Sequence, residues 1–280
     1  MSSSKNLFDQ VSKDTSKIIT TSYSTSFSFA IQLLDRRLRE HIYSIYGYVR
    51  LGDEIVDSFH EFNKEDLMKE FRQITEDSIK YKISLNPILN NFQYTVNKYK
   101  IKWELINKFI ESMEFDLKKK KYDEDAYKEY IKGSAEYVGL MCLAVFCNNK
   151  KGLYEKLKPH AIALGSAFQK INFLRDMNTD YKLLGRVYFP NLDINKFNDE
   201  EKMAIELDIK KDFEYALEGI RKLPQSSKRA VYLAYTYYWE LLNKIIKVTP
   251  QRLLTKRIRI SNFRKILLIL KTYLKLPFLK

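Results

Sequence analysis

Asp53 and Asp57 stand four residues apart, and so do Asp176 and Asp180. On an α-helix that offset is a rotation of about 40°, so both carboxylates of a pair leave the same face roughly 6 Å apart. Like charges at that distance repel unless a cation lies between them. Magnesium is a hard ion that takes one or two carboxylates and completes its shell with water and phosphate oxygens. The two pairs therefore predict a site for magnesium, with manganese an acceptable substitute.

The spacing alone is cheap. It occurs a third time, at Asp208/Asp212, inside Glu206-Leu-Asp-Ile-Lys-Lys-Asp212. There Lys210 and Lys211 offer compensation, and a solvated helix face is expected. The first two pairs keep different company. Tyr46, Arg50, Asp53 and Asp57 fall within about 60° of one another on a helix that is otherwise Ile, Tyr, Val and Leu. Gln169, Asn172, Asp176 and Asp180 fall within about 80° on another apolar helix. Buried polar groups need partners, and buried carboxylates need cations. Arg50 and Arg175 flank the stripes, and Lys182 and Arg186 follow the second one. An arginine fork can donate two hydrogen bonds at once to a phosphate. The expected ligand is a magnesium-bound diphosphate, with a structural ion-pair network between the stripes and these cations the alternative.

The elements that must position these residues are helices. With 8 Gly and 6 Pro in 280 residues, turns are few and elements long. Periodicity predicts helices at about 6–20, 35–60, 64–81, 86–98, 102–117, 123–148, 152–182, 199–222 and 226–247, then a basic helix from about 251. Gly185 to Asp193 is expected as a loop. Pro87, Pro159, Pro190, Pro224 and Pro250 are expected between helical stretches. The stretches 135–147 and 160–174 are apolar all round, as helices inside a bundle are. The fold class is all-α, a single domain over 1–280 with 251–280 a basic amphipathic segment.

The net charge of +14 suits nucleic acid, an anionic membrane surface or an anionic small substrate. A nucleic-acid-binding helical protein would account for the charge and leave the aspartate pairs without a purpose. Cys142 and Cys147 lack metal spacing and are expected as buried thiols of a reducing compartment. His41, His60 and His160 are expected to be structural, and Lys118–Lys121 a solvated helix end. The Ser-rich start has no apolar signal region, and no run of 18 uncharged apolar residues occurs. No spanning helix and a cytoplasmic location are expected. The segment from Arg252 mixes Arg257, Arg259, Arg264, Lys265, Lys271 and Lys275 with the apolar run Ile266–Leu270. It would either lie on the inner face of an anionic membrane or pack on the bundle.

Together these residues resemble the squalene/phytoene synthases, head-to-head prenyltransferases, and their phytoene synthase branch most. The resemblance runs from about Ser22 onward. It is carried by Thr25-Ser-Phe-Ser-Phe-Ala30, Ile45-Tyr-Gly-Tyr-Val-Arg-Leu-Gly-Asp-Glu-Ile-Val-Asp57, Gly133-Ser-Ala-Glu-Tyr-Val-Gly139, Gln169-Lys-Ile-Asn-Phe-Leu-Arg-Asp-Met-Asn-Thr-Asp180 and Gly185-Arg-Val-Tyr-Phe-Pro190. It implies one isoprenoid-synthase-like bundle around a central cavity, with both aspartate motifs on opposite walls. It implies magnesium around Asp53, Asp57, Asn172, Asp176 and Asp180. Ser24, Ser26, Arg50, Arg175 and Arg186 would meet diphosphate. Phe27, Tyr46, Gln169 and Tyr238 would line the chamber. The implied reaction joins two geranylgeranyl diphosphates to phytoene, with no need of NADPH. Squalene or dehydrosqualene from farnesyl diphosphate is the alternative, and a non-catalytic relative is another. Tyr130 matches a family tyrosine, but Lys132 departs from the pattern and leaves its role open.

Overall fold

The computed structural model describes residues 2–118 and 121–275. Lys119 and Lys120 of the lysine run, and 276–280 of the C-terminal segment, lie outside the described residues. Helices come in the order α1 (Ser2–Tyr23), α2 (Thr25–Gln32), α3 (Arg36–Asp57), α4 (Lys64–Tyr81), α5 (Pro87–Tyr99), α6 (Trp103–Lys118) and α7 (Glu124–Ile131). A π-helical turn at Lys132–Glu136 leads into α8 (Tyr137–Cys147), then α9 (Lys151–Thr179) and a second π turn at Asp180–Leu184. The chain ends with α10 (Asp199–Lys222), α11 (Gln225–Ile246), α12 (Pro250–Leu253) and α13 (Asn262–Lys275). Among the described residues there is no strand, only a single bridge between Lys121 and Val187.

Local chemistry sets most boundaries. Asn63, Asn86 and Asn198 accept from backbone N–H groups of the first turns of α4, α5 and α10, and Glu201 closes a capping box. The structure departs from the expected elements in four places. The stretch 123–148 is interrupted by the first π turn, where Gly133 lies so close to α6 that a Cβ would stand 2.5 Å from the Lys108 carbonyl oxygen. Pro159 sits inside α9, because it and Glu155, whose carbonyl loses its donor, both face solvent. Ser24 caps a short helix, α2, that periodicity does not reveal. The basic helix is only one turn, α12, before the chain runs without helix to α13.

One contiguous apolar core joins α2 to α11 and includes Tyr48, stacked on Phe92 at 3.8 Å. The segment Glu124–Cys147 is long and apolar enough to cross a membrane, yet Leu140, Met141 and Val145 on it are fully buried in this core. The bundle encloses a cavity of about 650 Å³ lined by residues of α2, α3, α8, α9 and α11, within the range of ligand sites.

Candidate active site

The cavity has an acidic mouth and an apolar depth. Asp53 and Asp57 reach it from the C-terminal turns of α3, and Asp176 and Asp180 from the end of α9 and the turn after it. Beyond them the walls are Phe27, Val138, Leu143, Phe146, Leu164 and Phe168.

Arg186 ties the two motifs together. Gly185 closes the second π turn with φ 66°, a left-handed conformation that glycine adopts without penalty. The chain can then fold back, and the Arg186 N–H donates to the Asp180 carbonyl at 2.9 Å. The Arg186 guanidinium reaches Asp57 Oδ1 at 2.9 Å and Asp116 Oδ2 at 3.0 Å. Arg186 is therefore buried and committed to carboxylates. It is not among the residues that line the cavity, whereas the resemblance implies a diphosphate contact for it.

Asp176 also has cations. Arg175 donates to it through Nε at 3.0 Å and a terminal nitrogen at 2.5 Å. Arg257, from the segment between α12 and α13, reaches it at 2.6 Å. Arg50 pairs with Glu54 and stacks over Tyr23 at 4.3 Å. Arg50 lines the cavity, and among the described residues its Nε is buried with no partner.

Negative charge still exceeds positive. Burial, then the field of Asp57, push Asp53 up to about 7. Burial, then Asp176 and Asp57, push Asp180 up to about 8. Both groups hold protons in the folded chain at pH values where the unfolded chain has lost them. Their contribution to stability is full below about pH 4 and is lost as pH rises through about 8. With divalent cations chelated, the melting temperature is expected to fall from pH 5 to 8. Added magnesium should reverse the fall, most at the higher pH. A flat profile in both conditions would contradict the crowding of these carboxylates.

Oxygen donors are present on both walls: the four carboxylates and the Asn172 amide oxygen, which accepts from Tyr238 at 3.3 Å. Among the described residues no three acidic, His or Cys side chains converge to hold an ion alone. Magnesium shared with phosphate oxygens needs only one or two protein carboxylates, so the donor chemistry fits it.

Below the acidic mouth four rings cluster. Phe27 lies 5.8 Å from Tyr46, 6.1 Å from Tyr238 and 6.5 Å from Phe168, and Phe168 stacks on Tyr238 at 3.9 Å. Burial pushes the Tyr46 hydroxyl up to about 12, so it stays neutral. Ser24, Gln169 and Asn172 line the cavity as well. Ser26 is absent from the wall: it precedes Phe27 on α2, a turn of about 100° away. Lys182 is exposed on the second π turn.

Several site residues escaped the sequence reading. Asp116 is the chief one. It is 3% exposed and takes hydrogen bonds from Tyr122, Tyr130 and Tyr188 beside its Arg186 ion pair. A signal existed, since Phe109, Met113 and Asp116 share one face of α6 and an acid stands where the period calls for an apolar residue. This also fixes Tyr130, whose hydroxyl donates to Asp116 at 3.2 Å. Arg257 carried no signal, being one of many basic residues in its segment. Cys142 on the cavity wall and Cys147 are pushed up to about 12 and 11 by burial and remain thiols.

The third aspartate pair is more than a solvated face. Lys170, 8% exposed on α9, reaches across to Asp208 at 2.5 Å and Asp212 at 2.8 Å on α10. Ser166 donates to Asp212 at 2.8 Å. The cation came from another helix, which spacing within one helix cannot reveal. Asp212→Ala is expected to lower unfolding stability by about 1–3 kcal/mol in urea titrations. The more exposed Asp208 should cost less, and equal effects would contradict the burial difference. His160, expected to be structural, lies on the cavity wall; its Nδ1 donates to the Tyr215 carbonyl at 2.8 Å, and its ring packs on Gly219.

Two aspartate motifs and a cluster of rings thus share one all-helical chamber, and it is the family match that makes this a prenyltransferase-type enzyme. The squalene/phytoene synthase family matches residues 20–264, and the chain belongs to that family. It is 26% identical to the 15-cis-phytoene synthase of Synechococcus elongatus, covering 89% of this chain and 88% of that one. It is also 26% identical to the 4,4'-diapophytoene synthase of Staphylococcus haemolyticus, over 64% of this chain and 62% of that relative's length. Among solved structures, a dehydrosqualene synthase in complex with ligand superposes with a TM-score of 0.84 at 20% identity, over 96% of this chain and 98% of that one. The squalene synthase HpnC of Alicyclobacillus acidocaldarius superposes with a TM-score of 0.74 at 20% identity, over 85% and 94%.

Proposed function

We propose that this protein joins two molecules of geranylgeranyl diphosphate head to head to give phytoene. The observation that carries the reading is the pair of aspartate motifs, tied through Arg186 at the mouth of a deep aromatic cavity. Asp53, Asp57, Asp176 and Asp180, with Asn172, would hold magnesium. When bound it neutralises the leaving diphosphate so that an allylic C–O bond can break.

The chain's own groups steer the ionised substrate. Arg50, Arg175 and Arg257 line the cavity and would bind phosphate oxygens as charge develops on them. The departing diphosphate takes the C–O electron pair and leaves an allylic cation. The faces of Phe27, Tyr46, Phe168 and Tyr238 stabilise that cation, and the apolar walls keep water from it. The double bond of the second substrate attacks, and proton loss closes a cyclopropylcarbinyl diphosphate. A second ionisation, rearrangement and proton loss give phytoene. No hydride is required, so NADPH is not expected to stimulate the reaction.

A second reading uses farnesyl diphosphate and gives a shorter hydrocarbon. The likeness to a staphylococcal protein named 4,4'-diapophytoene synthase favours it. The test is purified protein with magnesium and either diphosphate, with and without NADPH, and then analysis of extracted hydrocarbons. Phytoene from geranylgeranyl diphosphate without NADPH is the expected result. A product from farnesyl diphosphate alone would overturn the substrate choice. No hydrocarbon from either would overturn the enzyme reading.

A further inference from the structure

The positive charge of this protein is concentrated at one end. After Glu240 the sequence has no Asp or Glu, and residues 241–280 hold 11 Lys and Arg, against a net charge of +14 for the whole chain. Two of these arginines have internal partners: Arg257 pairs with Asp176, and Arg264 with Glu240 at 2.6 Å. Lys256, Arg259 and Lys271 are exposed.

Within this segment α13 turns apolar side chains both ways. Its inner face carries Leu268, 2% exposed against Ala30 and Leu233, and the buried Thr272. Lys265 anchors it to α2, donating to Thr25 Oγ1 at 2.6 Å, and lies over the Tyr237 ring. Its outer face carries Phe263, Ile266 and Leu270, which are 72%, 51% and 56% exposed. At 100° per residue these three fall within about 60° of one another, opposite Leu268 and Thr272. A helix packed on a bundle by one face normally presents polar residues on the other. Here the outward face is an apolar ridge flanked by lysine and arginine.

We infer that α13 is a docking surface for an anionic lipid bilayer, with Phe263, Ile266 and Leu270 entering the headgroup–acyl boundary. The charge selects this occupant. A ridge meant for a second copy of the chain would bring two of these basic segments together without an acidic residue between them. An anionic leaflet supplies the missing charge, and apolar burial supplies the rest. The anchor at Thr25 also sets the docked helix beside Ser24 and Phe27 of the cavity wall. A hydrocarbon leaving the cavity would then have a short path to the bilayer. This inference is independent of the reaction and of the prenyl chain length.

The test is co-sedimentation of the full chain with vesicles of phosphatidylcholine alone or with about 30% phosphatidylglycerol, at about 0.1 M and 0.5 M salt. Binding is expected to the anionic vesicles only, and to weaken with salt. Phe263→Ser/Ile266→Ser/Leu270→Ser should lose binding at least tenfold while keeping the helical spectrum and melting temperature, since all three side chains are exposed. Lys256→Glu/Arg259→Glu/Lys271→Glu leaves the ridge intact and should abolish the preference for anionic lipid. Equal binding to neutral vesicles, or undiminished binding by either variant, would overturn the inference. So would a concentration-dependent dimer of the wild type that the serine variant dissolves, because the ridge would then be a self-interface.

Discussion

Asp176→Ala is expected to lower kcat by at least about 10³-fold, the scale on which removal of a transition-state electrostatic contact acts. Asp176 stands where three requirements meet. It is on the polar stripe of α9, and it holds Arg175 and Arg257. It also contributes to the field that pushes Asp180 up to about 8. Removing it takes away a carboxylate proposed to hold magnesium and frees two guanidinium groups at the mouth. Those groups attract the diphosphate in the ground state as well as in the transition state. Affinity for substrate should therefore persist or tighten while turnover collapses, so KM stays level or falls and kcat carries the loss. Asp208→Ala is the matched control, with the same i, i+4 spacing and no place on the cavity, and its kcat should stay within about twofold of wild type. Steady-state kinetics with either prenyl diphosphate decides the matter. A comparable loss of kcat in both variants would mean that helix spacing, not site geometry, had been measured. Unfolding of Asp176→Ala at the assay temperature is checked by its melting curve.

The contrast between those two pairs shows how much of the site is legible in a sequence. The helices are legible because their signals are local: period, caps and the scarcity of Gly and Pro. The stripes at Tyr46–Asp57 and Gln169–Asp180 are legible for the same reason, since each lies within four turns of one helix. What the sequence hides is anything that crosses between helices. Lys170 serves Asp208 and Asp212 from 38 and 42 residues away, and Arg257 serves Asp176 from 81. Arg186 is hidden in a different way. Its place after the second motif suggests a substrate contact, but its guanidinium turns to Asp116, 70 residues earlier. The π turns are hidden because they alter the helix by one residue without altering its composition. Both occur where they matter: one brings Gly133 against α6, and the other swings Arg186 back toward Asp57.

Arg186→Ala is expected to be the most destabilising single change in the site, at about 3–5 kcal/mol, because it strips a buried carboxylate of its cation. Asp116 is 3% exposed, and the guanidinium that neutralises it belongs to a residue 7% exposed. The phenols of Tyr122, Tyr130 and Tyr188 donate to Asp116 but carry no positive charge. Burial already holds the Asp116 carboxyl above its ordinary range, against the lowering effect of Arg186. Without Arg186 that rise should grow, and Asp116 should bind a proton that the unfolded chain releases near pH 4. The deficit of Arg186→Ala relative to wild type should thus be small at pH 5 and widen as pH rises to 8. Asp116→Asn removes the charge and keeps an acceptor. In Arg186→Ala/Asp116→Asn the remaining side chain needs no cation, so the double variant should be more stable than the sum of the single losses predicts. Urea unfolding at the two pH values measures both effects. Additive losses with no pH dependence would show that Arg186 stabilises the fold by packing alone. Recovery in the double variant would show that it is there to answer the charge of Asp116, and with it to draw the two aspartate motifs to one mouth.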